Sequence, residues 1–217
     1  MYEQVKPLES KHIKRAGETL LEAFIDSPMF VYLFPESASR RRILKFVFPK
    51  LIQLFHASGT VYVTSDEVEG IFAVRRYGVV RDKRRLAILA LRTLPLLPYV
   101  FRYQSPLSIH RRALQTKDAS SALAHYREHY HNFIIIDAVA VHPDHQGQKH
   151  LSKLMRSALE EARRTHTFIV LQTETETNVS IYRHLGFELV RSYPCAGGAF
   201  HTYVMLYDPH HLTAPRD

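Results

Sequence analysis

Residues 133–155 read FIIIDAVAVHPDHQGQKHLSKLM, and their pattern decides the fold. From Phe133 to Val141 the run is apolar except for Asp137. Such a run suits a central strand covered on both faces, because a half-exposed strand would alternate apolar with polar residues. His142 to Gln148 then carries Pro143 and Gly147 among polar residues, the composition of a loop. Beyond it Leu151, Leu154, Met155, Ala158, Leu159 and Ala162 recur at helical intervals. Strand, glycine-bearing loop and helix together predict an anion site. The first turn of a helix leaves about four backbone N–H groups without internal partners, and the helix dipole adds its pull. Gln146, Gly147, Gln148, Lys149, His150, Leu151 and Ser152 occupy that place. An ordinary connecting loop with one glycine reads the same way, so this segment alone leaves both open.

Downstream, Phe168 to Gln172 reads as the next strand, and Asn178 to Leu185 as a short helix with Asn178 as N-cap and Gly186 as its stop. Phe187 to Tyr193 and Phe200 to Tyr207 close as a hairpin around Gly197-Gly198. Upstream, residues 10–25 predict a helix on the spacing of Ile13, Ala16, Leu20, Ala23 and Phe24, capped by Ser10 and ended by Asp26-Ser27-Pro28. Residues 37–56 predict a second helix that Pro49 kinks or interrupts. Thr60 to Thr64 and Gly70 to Val74 are short strands about an acidic turn, and residues 84–130 read as irregularly helical. The order describes an α/β domain whose last strands run antiparallel.

The 217 residues are 46% hydrophobic and 23% charged, the proportions of a globular protein. No Gly/Ser-rich or Pro-rich linker and no repeat divides them, so residues 1–217 read as a single domain. Cys195 is the only cysteine; it excludes an intramolecular disulfide and fits a reducing, cytoplasmic setting. The first residues lack the apolar core of a signal peptide. The longest apolar stretch, Leu86 to Phe101, is broken by Arg92, Pro95 and Pro98 and is shorter than the ~20 residues of a membrane span, so no membrane partner is expected. The net charge of +8 attracts polyanions of any kind. The basic clusters Arg40–Arg42, Arg75–Arg76 and Arg81–Arg85 lack interleaved aromatics, and no zinc-finger or basic-zipper signature is present. The charge reads as a solvated face that also draws in an anionic cofactor, with no nucleic acid expected as partner.

Val139 to Met155 resembles the acetyl-CoA-binding motif of the GNAT acetyltransferases, roughly LxVxPxxQGxGxGxxL. Leu171-Gln172-Thr173 and then Asn178 to Phe187 resemble the family's LET…NVxxYxxxGF element, at a fitting distance. Ala23-Phe24-Ile25-Asp26-Ser27-Pro28, with Tyr32-Leu33-Phe34-Pro35, is similar to the AFxxDP…LFP stretch of members related to puromycin N-acetyltransferase, and Val61-Tyr62 and Gly70-Ile71 fit that group as well. Each motif is degenerate alone, but three in order at this spacing are specific. The resemblance implies an α/β GNAT fold: a mixed, mostly antiparallel, twisted central sheet flanked by helices, splayed between strands near 133–141 and 168–172. It places an acetyl-CoA-binding core at about 132–207 and a helical acceptor-side segment at about 84–130. The implied reaction is direct transfer of acetyl from acetyl-CoA, as co-substrate, to a primary amine, with a small molecule favoured.

The resemblance also implies roles. Backbone groups of Val139, Ala140 and Val141 pair with the pantetheine arm, backbone N–H groups of Gln146 through Ser152 hold the diphosphate, and Asn178 contacts the arm. Tyr182 donates a proton to the departing thiolate. Asn178 and Tyr182 are four apart and share a helical face. Taken without the motif, Tyr182 reads as an amphipathic core residue. Three positions depart from the pattern: Lys149 and Leu151 stand for loop glycines, and Gln172 for the glutamate. A positive φ would strain a side chain at 149 or 151. The regular apolar stripe favours a helical backbone there instead. Asp137 interrupts the apolar strand, shares a face with Val139 and Val141 by alternation, and is the candidate general base or else a carboxylate satisfied by a neighbouring donor. Glu174 and Glu176 are further carboxylates near the strand end. His125, His129 and His131 have helical spacing, but no cysteine or acidic partner supports a metal site, and none is expected; His131 is a candidate proton carrier instead. Cys195 reads as a hairpin residue. Two other functions compete: a non-catalytic acyl-CoA-binding module of the same fold, and a basic nucleic-acid-binding protein.

Overall fold

A computed structural model of the chain describes residues 5–56, 61–77, 91, 96–116 and 133–210. The strands are β1 (Lys6–Pro7), β2 (Val61–Val63), β3 (Gly70–Tyr77), β4 (Phe133–Val141), β5 (Phe168–Thr173), β6 (Glu188–Cys195) and β7 (Phe200–Tyr207). The helices are α1 (Ile13–Phe24), α2 (Pro28–Leu33), α3 (Ser37–His56), α4 (Leu96–Phe101), α5 (Pro106–Gln115), α6 (His150–Thr165) and α7 (Glu176–His184). One seven-stranded sheet has the order β1-β2-β3-β4-β5-β7-β6. Every neighbouring pair is antiparallel except β4 and β5, which run parallel and are joined through α6. A parallel pair needs such a crossover.

The apolar stripes sort the helices onto the two faces. Leu154, Met155, Ala158 and Ala162 of α6, with Val179 and Tyr182 of α7, pack on Phe72, Val74, Ile134, Ile136, Ile169 and Met205. On the other face α1 and α3 bring Ala16, Leu20, Ile43, Leu44 and Ile52 against Val61, Val63, Ile71, Ala73 and Ala140. Of the two expectations at Pro49, a kink or an interruption, the second is overturned: α3 runs through it. The proline lies against α1 at Gly17, where an added Cβ would stand 2.6 Å from its Cγ. The helix loses one hydrogen bond at the ring, and the ring fills space that only glycine leaves.

Three local expectations are corrected. Ser10 belongs to a 3-10 turn (Ser10–His12) ahead of α1, and its hydroxyl lies 3.1 Å from His56 Nε2. Asn178 is not the cap of α7: Thr175 is, its hydroxyl accepting from the Asn178 N–H. Gly186 stops that helix as expected, with φ +92 and the Phe187 N–H donating to the Tyr182 carbonyl at 3.0 Å. The third correction lies inside β4. Ala73 pairs with Ala138 and Val74 with Ile136, which leaves Asp137 as the extra residue of a bulge. The bulge reverses the alternation: Ile134 and Ile136 face α6, and so do Val139 and Val141, while Ala138 and Ala140 face α1 and α3. Asp137 therefore does not share a face with Val139 and Val141. It meets Arg75, whose register partner Ile135 lies on the opposite face from them.

Of residues 84–130, the described parts include helices α4 and α5. The expected histidine group His125, His129 and His131 and the basic cluster 81–85 lie outside the described residues.

Candidate active site

The parallel pair opens where the bulge sits. β4 and β5 are paired from Phe133 with Phe168 to Ile136 with Leu171, and no further. Beyond that point β4 stays with β3 as far as Val141, while Gln172 and Thr173 stay with Val204 and Tyr203 of β7. The two strands part into a cleft. The edge of β4 that faces it, Asp137 to Val141, has no strand partner there among the described residues. Free N–H and C=O groups on a strand edge are a template for an extended, amide-bearing chain.

The loop after β4 ends the cleft. A short 3-10 turn, Pro143–His145, folds on itself with the His145 N–H donating to the His142 carbonyl and the Gln146 N–H to the Pro143 carbonyl. From Gly147 to Ser152 the backbone N–H groups have no partner among the described residues. Gly147 has φ +78, and a Cβ added to it would meet nothing within 4 Å. Lys149 has φ +65 and ψ +12, the left-handed region, immediately before α6. The expected helical backbone at Lys149 is thus overturned, although Leu151 is helical as expected. Left-handed residues just ahead of a helix N-terminus are the backbone pattern found in anion nests. These donors and the open space over Gly147 fit a diphosphate.

Across the cleft, β5 leads into α7. Asn178 Nδ2 donates to Thr173 Oγ1 at 2.9 Å, which ties the first turn of α7 to the end of β5. One turn on, Tyr182 is 7% exposed, its ring 5.8 Å from that of Phe187. Its hydroxyl has no hydrogen-bond partner among the described residues. Burial, and next the charge of Glu174, push the phenol well above its usual range, so it stays protonated. Burial also raises the Glu174 carboxyl.

The remaining candidates separate. Both oxygens of Asp137, whose side chain is 11% exposed, accept from the Nε and Nη2 of Arg75. Glu176 is exposed in the first turn of α7 and accepts from the Tyr203 hydroxyl at 3.4 Å. Cys195 is fully buried beside Thr202, as a hairpin residue. Arg75 was missed as the Asp137 partner. Its signal was a charged residue in an otherwise apolar strand, but its mate lies 62 positions away.

Residues 116–189 match the family described as acetyltransferase (GNAT) domain. No curated protein matches the chain. Among solved structures, the chain is similar to histone acetyltransferase HPA2 and related acetyltransferase from Corynebacterium glutamicum, with TM-score 0.58 and 17% identity over 99% of this chain and 100% of that one. It is similar to the polyamine N-acetyltransferase of Drosophila melanogaster, with TM-score 0.57 and 12% identity over 94% and 98%. A putative arylalkylamine N-acetyltransferase 7 from the yellow fever mosquito gives 0.55 and 10% over 94% and 86%. At these identities the likeness speaks to the fold. The match of residues 116–189 to an acetyltransferase (GNAT) domain, together with the GNAT fold of the chain, identifies it as an N-acetyltransferase.

Proposed function

We propose that the chain moves acetyl directly from acetyl-CoA to a primary amine of a small molecule. The observation that carries this reading is the parting of β4 from β5 beyond Ile136 and Leu171, with unpaired loop N–H groups at one end of the opening and a buried, unpartnered phenol beside it. Val139, Ala140 and Val141 would hold the pantetheine arm along the free edge, with Asn178 opposite. Gln146 through Ser152 would hold the diphosphate, and Lys149 adds charge there. Acetyl-CoA supplies the thioester; positioning and proton traffic fall to the chain.

Two carboxylates compete for the base. Asp137 has both oxygens engaged by Arg75 and would have to leave that pair to take a proton. Glu174 is half-buried at the cleft end of β5, and burial raises its carboxyl toward the range in which a base works at neutral pH. We assign the base to Glu174 and give Asp137 the task of holding the bulge open. The amine loses its proton to Glu174, the new C–N bond forms as the C–S bond breaks, and Tyr182 O–H protonates the departing sulfur. The raised carboxylate suits the base, whereas the raised phenol is the weaker acid, so its donation depends on its position and on transfer concerted with C–S cleavage.

A small-molecule acceptor draws support from two of the neighbours, the polyamine N-acetyltransferase and the putative arylalkylamine N-acetyltransferase. The stretch Ala23 to Pro35 keeps the puromycin N-acetyltransferase-like group as the proposed subgroup. Residues 1–217 are taken as one domain, since one sheet runs from Lys6 to Tyr207. A reducing, cytoplasmic setting suits the lone buried Cys195. Among the described residues no helix is long and apolar enough to cross a membrane.

The test is Tyr182→Phe, followed by thiol release from acetyl-CoA with a panel of amines and by calorimetry with CoA. General acids contribute ~100- to 10,000-fold, and thiolate is a good leaving group, so turnover should fall by roughly 100-fold or somewhat less while CoA affinity holds. Unchanged turnover would remove the acid role. CoA binding without transfer to any amine would favour the non-catalytic module.

A further inference from the structure

A cavity of about 510 Å³ opens between α2, α5 and the start of β7. Its place relative to the cleft follows from the topology. Thr173, at the end of β5, pairs with Tyr203, so Phe200 at the start of antiparallel β7 lies beyond the carboxyl end of β5. On the far side, Glu22 near the end of α1 is held below the usual carboxylate range chiefly by its hydrogen bond from Arg41, and more weakly by nearby His142, the residue after β4. Asp26, one turn further on, lines the cavity. The cavity therefore lies at the end of the sheet toward which β4 and β5 part.

Its walls are aromatic and apolar, and its charges are unequal. Tyr32 and Phe200 stand 5.9 Å apart at 53°, with Val31 beside them. Asp26 accepts from Arg40 Nη2 at 3.0 Å, and Arg40 is buried and further tied to the Ile25 and Phe34 carbonyls, so this acid is already matched. Arg112 is not. Its Nη1 donates to the Leu33 carbonyl at 3.3 Å and its Cζ stands 6.0 Å from the centre of the Tyr32 ring. That leaves the Nε–Nη2 edge without a partner among the described residues. A half-buried guanidinium, held in place and offering a free two-donor edge, fits a carboxylate in a bidentate arrangement.

Resting on the transferase reading above, we propose that this cavity receives the body of the acceptor and that Arg112 selects amines carrying a carboxylate on an aromatic or apolar frame. A polycationic amine meets in the same place a positive charge without a partner among the described residues. The preferred acceptor thus differs in charge from a polyamine.

The test uses matched pairs that differ only in the acid. For binding, 4-methylbenzoate and its amide are titrated into the full chain saturated with CoA. For turnover, 4-(aminomethyl)benzoate is compared with 4-(aminomethyl)benzamide. A charge-assisted pair predicts that the acid is favoured over the amide by about 10-fold in both assays. Arg112→Gln should abolish the preference while leaving CoA affinity unchanged. Should Arg112→Gln prove unfolded, Arg112→Lys, which keeps the charge and loses the fork, should still reduce it. Equal binding of acid and amide, or a preference that survives substitution at 112, overturns the proposal. If neither amine turns over but the benzoate contrast depends on Arg112, the cavity inference stands and the transferase reading fails.

Discussion

Replacing Lys149 by glycine should make the protein more stable while weakening its hold on coenzyme A. Lys149 sits at φ +65 and ψ +12 immediately before α6, and a side chain in the left-handed region costs about 1–2 kcal/mol. Glycine removes that strain but gives back about 0.5–1 kcal/mol through the greater freedom of the unfolded chain. The net gain is about 0–1.5 kcal/mol, with a central value of about 0.75 kcal/mol that corresponds to roughly 1.5–3 °C in melting temperature for a chain of this size. The exposed ammonium contributes about 0–1 kcal/mol to an anion beside it, so the CoA dissociation constant should rise by up to about five-fold. That loss should shrink as salt rises. Thermal unfolding and calorimetry at two salt concentrations measure both effects. Lys149→Ala separates them, because it keeps the strained backbone and removes the charge: affinity should fall without a gain in melting temperature. A melting temperature unchanged in Lys149→Gly, or raised equally by Lys149→Ala, would refute the strained-cradle argument.

Glu174→Gln should remove the acid limb of the pH–rate profile. With its carboxyl raised by burial, activity should climb with pH through a value above the ordinary carboxylate range, and a limb that persists in Glu174→Gln would rule the base assignment out. The same raised value has a stability consequence of definite sign. The folded state binds the proton more tightly than the unfolded chain, so Glu174 costs stability progressively as pH rises from the unfolded value of about 4.3 through the folded one. Glu174→Gln should therefore gain on the parent in melting temperature as pH rises over that window, and a constant difference would argue against burial as the cause. Gly17→Ala should destabilise by about 1–3 kcal/mol, since its Cβ would stand 2.6 Å from Pro49 Cγ between α1 and α3. Chemical denaturation measures this, and a neutral result would show that the helix pair can slide apart without cost.

The order strand, loop, helix, strand, helix and hairpin was legible along the chain because burial leaves a local period. The apolar run of β4, the stripe of α6 and the pair Asn178 and Tyr182 four apart on α7 each needed only a few neighbours to be read. The match of residues 116–189 to the GNAT domain agrees with motifs that are likewise contiguous. What the strands do to one another was not readable in this way. The Asp137 bulge is a mismatch of count between β3 and β4, visible only once Ala73 and Val74 are laid against Ala138 and Ile136. With it came the reversed faces of Val139 and Val141 and the pairing of Asp137 with Arg75.

The tertiary structure alone also decided the backbone of Lys149 and the surroundings of Glu174 and Arg112. A regular stripe beginning at Leu151 says nothing about the residue just before the helix, whose φ is set by how the loop must turn from β4 into α6. Glu174 is raised by the burial it meets at the end of β5, and Arg112 faces a cavity made with residues more than 75 positions away on either side, near Tyr32 and at Phe200. Periodicity records which side of an element is covered. It carries no record of what covers it, because that contact closes a loop through the whole chain, and only the folded packing fixes which charge remains without a mate.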